Sequence, residues 1–374
     1  MSIRSVSLTT AAFLVAMLAT SCSHKVATSP APATFEPARV TDAISKLDHI
    51  LTQPGFASFR ATGDRLGPAT PSGVVWLRES ELRAFAATPS AARARVLAHS
   101  LVERFRAVHQ GRVAQPGWAI IAPELHGKTL VYDPAQHRYI IDPVLEGAPA
   151  NGIRYVLYAV DTQTQEPLVG QEIGHADLTD EGVALANGFS LRLRATTASL
   201  LFLDYAVTAQ GNDQSGAIAV RGFMTDGVSQ ANFHVDVNGA TGDSESTFAL
   251  AFGLTTEPDG LDLATTIHAA SATGADAGQM EQTLRVGGNE FRLTAAQTGG
   301  ELRAAVVVNG RPFASIAGPP DHLTIVGADG QPLSPEAAMA LGQILGLANG
   351  VARLAGDLLQ PIQALIALSH PLGT

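Results

Sequence analysis

The sequence predicts an α+β fold: a long antiparallel β-meander, as a curved sheet or half-barrel, packed with an apolar C-terminal helical segment and preceded by a small helical region. Three observations carry this. Apolar residues recur at helical spacing between residues 39 and 112. From about Leu130 to Val326 the period drops to two. Between Glu336 and His370 only Arg353 and Asp357 are charged. With 46% hydrophobic and 16% charged residues among 374, the chain has material for a substantial core and is not of disordered composition.

The first helical pattern is Val40, Ile44, Leu47 and Leu51, stopped by Pro54-Gly55, after which a Gly- and Pro-rich loop is expected as far as Gly73. A second helix is expected with Thr88 as its cap, Pro89 in its first turn and Gly111 after its last. Its stripe is Leu97, Leu101, Phe105 and Val108, with Arg93, Arg95, Arg104 and Arg106 elsewhere on its surface. Such a helix is built to cover something.

In the period-two region Phe233, Val235 and Val237 alternate with Asn232, His234 and Asp236, as in a strand with one buried and one wet face. Asn187-Gly188, Asp226-Gly227, Asn238-Gly239, Asp259-Gly260, Gly287-Gly288 and Asn309-Gly310 read as hairpin turns. Together they imply roughly eight to eleven strands. In TFALAFGL, Phe248, Leu250, Phe252 and Leu254 face one way and Thr247, Ala249, Ala251 and Gly253 the other, so this strand is expected to be covered on both sides. The cover is expected at the end of the chain. Ser334-Pro335-Glu336 is a helix start, Pro361 is expected to divide the segment into two helices, and Ala338, Gly342, Gly346 and Gly350 form a stripe of minimal side chains. That stripe is expected to lie close against the small face of the sheet. Phe248, Leu250, Phe252, Leu254, Gly342, Gly346 and Gly350 are therefore the candidate ligand-lining or helix-packing residues.

The N-terminus has its own grammar. Arg4 is the only charge before an apolar run, Ala11 to Ala19, followed by Ala19-Thr20-Ser21 and then Cys22, the sole cysteine. A charged start, a short apolar segment and a small-residue cut site describe a secretory signal. The arrangement resembles the lipobox of bacterial lipoprotein precursors, with Ala19 where that family usually has Leu. The resemblance implies cleavage before Cys22, lipid on that residue, and membrane anchoring by acyl chains such as palmitate. Ser23 then implies the outer membrane in a Gram-negative cell. The division that follows is 1–21 signal peptide, 22–38 lipidated tether, 39–115 helical region, 116–330 antiparallel sheet, and 331–374 apolar helical segment packing on the sheet. A mature chain beginning at Cys22 holds no second thiol, which excludes internal disulfides.

Residues 36–115 hold 11 Lys and Arg against 7 Asp and Glu, whereas residues 116–374 hold 11 against 27. An acidic bulk behind a secretion signal argues against nucleic acid as a partner. No two of the 11 histidines lie within five residues of each other, so no metal and no other cofactor is expected. His175-Ala176-Asp177 with Asp180 and Glu181 reads as a solvated acidic loop. Gly227-Val228-Ser229-Gln230-Ala231 lacks the final glycine of a nucleophile elbow, and Gly242-Asp243-Ser244 has no downstream acid–histidine partner, so no catalytic residue is assigned. Two resemblances complete the reading. The architecture looks like that of lipoprotein-carrier half-barrels, which shelter acyl chains between sheet and helix. Residues 160–182 followed by FSLRLRA are similar to small Ig-like surface modules. The expectation is a non-enzymatic envelope lipoprotein that binds a lipid or other hydrophobic small molecule between sheet and helix. The alternatives are a structural or adhesion lipoprotein with a filled core, and a hydrolase with scattered catalytic residues. The membrane, through the N-terminal lipid, is the one partner expected in either non-enzymatic case.

Overall fold

Helix and strand follow one another as the change of period requires. The computed structural model describes residues 37–66, 79–87, 89–114, 120–182, 188–198, 200–258, 260–272, 275–298, 300–319 and 322–369. Four helices come first: α1 (Pro37–Thr52), α2 (Pro54–Leu66), α3 (Glu79–Ala87) and α4 (Ala91–Ala114). The strands are β1 (Lys128–Asp133), β2 (Arg138–Asp142), β3 (Gly152–Val160), β4 (Pro167–Asp180), β5 (Gly188–Thr197), β6 (Leu200–Gly211), β7 (Ser215–Thr225) and β8 (Gln230–Thr241). They continue with β9 (Glu245–Glu257), β10 (Asp262–Ala272), β11 (Ala275–Val286), β12 (Asn289–Thr298), β13 (Glu301–Val308), β14 (Arg311–Gly318) and β15 (Thr324–Gly327), and helix α5 (Pro335–Ser369) closes the order.

All fifteen strands form one open sheet, in chain order from β15 back to β3 and then β1 and β2. Neighbours are antiparallel except β1 and β3, which run parallel, so the sheet is mixed and longer than the expected meander. The segment likened to an Ig-like module is β4 and β5 of this sheet, paired in register with β3 and β6, and so is no separate module. Turns sit where paired positive φ angles are needed, as at Asn309-Gly310 (φ 50° and 75°) and Gly287-Gly288 (56° and 81°). Asn238-Gly239 is an exception. Both residues lie inside β8, and the glycine serves a packing purpose instead.

One face of the sheet is apolar, and helices cover it from β2 to β11. Helix α4 crosses β6 to β11, and α2 lies over β2 to β6. Leu97, Leu101 and Phe105 of α4 are buried, and a run of sheet glycines admits them. A Cβ at Gly239 would stand 3.1 Å from the Ala98 backbone, one at Gly211 or Gly216 would overlap the Phe105 ring, and one at Gly278 would overlap the Pro89 carbonyl. Close packing between helix and sheet is therefore present, but the small residues belong to the sheet and the helix is α4.

Several expectations about the helices change. Pro54 opens α2 instead of a loop, because a proline in the first helical turn loses no hydrogen bond and Phe56, Phe59 and Leu66 gain full burial. Helix α4 starts at Ala91 after Ser90, whose hydroxyl accepts from the Arg93 N–H at 3.4 Å, and it runs through Gly111. A glycine weakens a helix by about 1 kcal/mol relative to Ala but does not end it. Helix α5 is capped by Ser334 as the sequence suggests, yet continues through Pro361 without dividing. Helix α2 supports it there: Arg60 pairs with Asp357 at 3.3 Å, Gln360 donates to Asp64 at 2.7 Å, and Gly63 leaves room for the Pro361 ring.

Helix α5 packs chiefly on α1, α2 and α3, and the sheet reaches it through long side chains. Its stripe points the other way from the expected one. Gly342, Gly346 and Gly350 are exposed, and a Cβ on any of them would meet no described atom within 4 Å. The orientation follows from size: Leu341, Ile344, Leu358, Leu359 and Ile362 are buried, and each contributes about 1.5–3 kcal/mol that a glycine face cannot match. By length and composition Pro335–Ile362 would suffice to cross a bilayer, and 29% of its most apolar window is buried.

The two sets of glycines should therefore respond oppositely to a methyl group. Gly278→Ala is expected to destabilise by about 1–3 kcal/mol through overpacking against the Pro89 carbonyl. Gly346→Ala is expected to stabilise by up to about 1 kcal/mol through helix propensity alone. Urea denaturation of the two variants checks both signs.

Candidate functional site

The residues singled out from the sequence fall into two places. Phe248, Leu250, Phe252 and Leu254 are 0–2% exposed on the filled face of β9, where Phe85 of α3 meets Phe248 edge to face at 5.0 Å. Gly342, Gly346 and Gly350 are on the far side of α5, so no cleft joins the two sets. Among the described residues no helix covers the opposite side of β9. Ala249 and Ala251 are half-buried on the outer face, and the His234 ring lies over Gly253. Cys22 and residues 22–36 of the tether lie outside the described residues, and Pro37 and Ala38 already belong to α1.

Two interior hydrogen bonds fix α5 to the sheet. The Tyr205 hydroxyl donates to the Leu358 carbonyl at 2.7 Å, and Gln282 Nε2 donates to the Ile344 carbonyl at 3.1 Å. Burial pushes the Tyr205 and Tyr155 hydroxyls well above the usual phenol range, so both stay neutral, and Tyr205 is held as a donor.

A group of interacting titratable side chains joins the end of α2 to the first strands. Arg65 on α2 grips Glu166, in the loop before β4, through Nε at 3.2 Å and Nη2 at 2.9 Å. The Tyr132 hydroxyl on β1 donates to the same carboxylate, and His137 Nδ1 in the β1–β2 turn stands 3.8 Å from it. Next to them Tyr139 donates to the Val156 carbonyl at 2.9 Å and stands 3.0 Å from the Thr62 hydroxyl on α2. The Arg65 and Tyr132 hydrogen bonds hold the Glu166 carboxyl down at about 2. A general base works best near the operating pH, so a carboxylate held that low is a clamp and not a proton acceptor. Sequence reasoning missed this cluster because Arg65 and Glu166 are 101 residues apart and neither stands in a motif.

The outer face carries charge in cross-strand pairs. Arg154, Asp177, Arg194 and Asp204 stand side by side on β3 to β6, and the same row ends in Asp262, Arg285 and Glu290 on β10 to β12. Arg154 grips Asp177 at 2.7 and 2.8 Å, and Arg192 grips Asp204 at 2.8 Å through both nitrogens. His175 and Asp177 are therefore strand residues and not a solvated loop, with the carboxylate already taken by arginine. Among the described residues no group of three or more His, Cys, Asp or Glu is placed to hold a metal ion. Ser229 lies in the β7–β8 turn and Ser244 in the β8–β9 turn, each outside any strand-to-helix elbow. Beside these pairs, open grooves on the outer face among the described residues include adjoining ones of about 470 and 320 Å³ over β6 to β9 and one of about 530 Å³ over β10 to β13. Their floors are alanines such as Ala217, Ala219 and Ala296, and their rims are Asn238, Asp236, Gln279 and Glu281.

Comparisons with protein-family models, curated proteins and solved structures found no match.

The clamp has a pH signature. Glu166 has its pKa lowered from 4.5 in the unfolded chain to about 2, so its contribution is complete above about pH 4.5 and is lost as pH falls toward 2. The Glu166→Gln variant is expected to lose less stability than the native chain between pH 5 and 2. Thermal melts across that range measure the difference.

Proposed function

We propose that the chain is a non-enzymatic protein of the bacterial envelope, anchored by lipid on Cys22 and, given Ser23, held at the outer membrane. In this reading it acts as a structural or adhesion module: a large rigid sheet with a filled core, displayed on a short tether. The observation that carries it is the seat of α4. Where a ligand shelter would keep a gap, the sheet has glycines, and helix atoms stand within contact distance of them. The bulky residues first considered as ligand-lining are in contact with helix side chains instead, as with Phe85 and Phe248. This favours the structural reading over an acyl-chain shelter.

The outer face supports the same reading. Arg154, Asp177, Arg192 and Asp204 are already paired within the sheet and its grooves are open, which suits contact with an extended surface more than capture of a small molecule.

Two measurements test the proposal. Cys22→Ser is expected to release the protein from membranes or leave the precursor uncut; unchanged processing and fractionation would remove the lipid anchor from the proposal. Native mass spectrometry of protein purified from its own host is expected to show the acylated chain with no further lipid bound. A stoichiometric co-purified lipid would restore the shelter reading.

A further inference from the structure

Strand β2 ends the sheet, and an edge strand presents alternate backbone N–H and C=O groups to whatever lies beside it. Its sequence, Arg138-Tyr139-Ile140-Ile141-Asp142, is complementary to itself when read antiparallel. We propose that β2 is the docking edge for a second copy of this chain, joined by a two-fold antiparallel pairing centred on Ile140.

In that register Arg138 opposes the partner's Asp142, Tyr139 opposes the partner's Ile141, and Ile140 opposes the partner's Ile140. The two-fold axis makes every pair occur twice, so a short strand gains two opposite-charge pairs and closes on itself instead of growing into a fibre. Both charges are already positioned. Asp142 Oδ1 accepts from the Val144 and Leu145 N–H groups at 2.7 and 3.0 Å, and Arg138 Nε donates to Gln136 Oε1 at 2.9 Å.

Apolar exposure concentrates at the same place. Of the nine exposed large apolar side chains among the described residues, Ile141 (44%), Val144 (80%) and Leu145 (44%) fall within five positions of one another at the end of β2. The pairing brings the end of each β2 to the start of the other, so Val144 and Leu145 would fall beside Gln136 and Ala135 in the partner's β1–β2 turn. The opposite edge also exposes Leu323 (42%) and Ile325 (40%) but lacks the charge match. Strand β15 is Thr324-Ile325-Val326-Gly327, which carries no charge.

The sole cysteine gives a clean test. In the full chain carrying Cys22→Ser, Ile140→Cys introduces the only thiol. A two-fold pairing would place the two new residues directly opposite, with Cα atoms about 4.5–5.5 Å apart, inside disulfide range. Mild oxidation is expected to give a covalent dimer from Ile140→Cys and none from Ile325→Cys in the same background. Sedimentation of the Cys22→Ser chain is expected to show a dimer that Arg138→Glu weakens by about tenfold or more, and that adding Asp142→Arg restores. A chain that sediments as a monomer at all concentrations, the absence of the Ile140→Cys dimer, or equal cross-linking at Ile325→Cys would each overturn the proposal.

Discussion

The close approach of α4 to the apolar face of the sheet is the constraint on which the rest of the structure depends. A sheet of fifteen strands with one apolar face must be covered along its length, and a helix can come near only where side chains are missing from one side. Gly211, Gly216, Gly239 and Gly278 supply that absence on four different strands, so Phe105, Leu101, Ala98 and the Pro89 carbonyl settle against backbone. Each glycine in a strand interior gives up side-chain packing and chain entropy. The compensation is contact along α4, which lets Phe85 reach Phe248 and leaves α2 to cover the earlier strands.

Filling one face decides what the other can be. On most strands the residues between the buried positions face outward, and from β3 to β6 arginine and aspartate stand opposite one another there, which offsets part of the acidic excess of this half of the chain. Where the strands carry alanine instead, the surface dips into open grooves. The clamp of Arg65 on Glu166 does a related service at the join between helices and sheet. It fixes the end of α2 to the first hairpin and to the loop before β4, so the helical layer cannot slide along the strands.

The legible part of the fold is the part written in local periodicity. Alternation of Phe233, Val235 and Val237 with polar neighbours, and of Phe248 to Leu254 with small ones, gives the buried face of β8 and β9 correctly. The same alternation holds the signal at Asn238-Gly239. Gly239 is in phase with Val237 and Val235, so it belongs to the buried face, and only the habit of reading Asn-Gly as a turn hides this. Proline misleads for a comparable reason: Pro54 starts a helix and Pro361 is carried within one, because burial of α2 and the contacts of Arg60, Gly63 and Asp64 outweigh a local preference. The Arg65–Glu166 pair has no local signature at all, since it exists only once residues 101 apart have been brought together. The separate addresses of Phe248 and Gly346 belong to the same class, because which face of a helix turns inward is settled by the whole core.

Helix α5 shows how that choice is made. It has two candidate faces, one of glycine and alanine and one of leucine and isoleucine. The small face would permit a closer approach, but close approach is worth little without atoms to bring together, and burying five large side chains is worth several kcal/mol more. The large face therefore turns inward, Tyr205 and Gln282 take its carbonyls, and the glycines are left outside. A glycine stripe on the sheet draws a helix in because the helix brings large side chains to fill the space. A glycine stripe on the helix, facing a sheet whose own glycines are already occupied by α4, has nothing to receive.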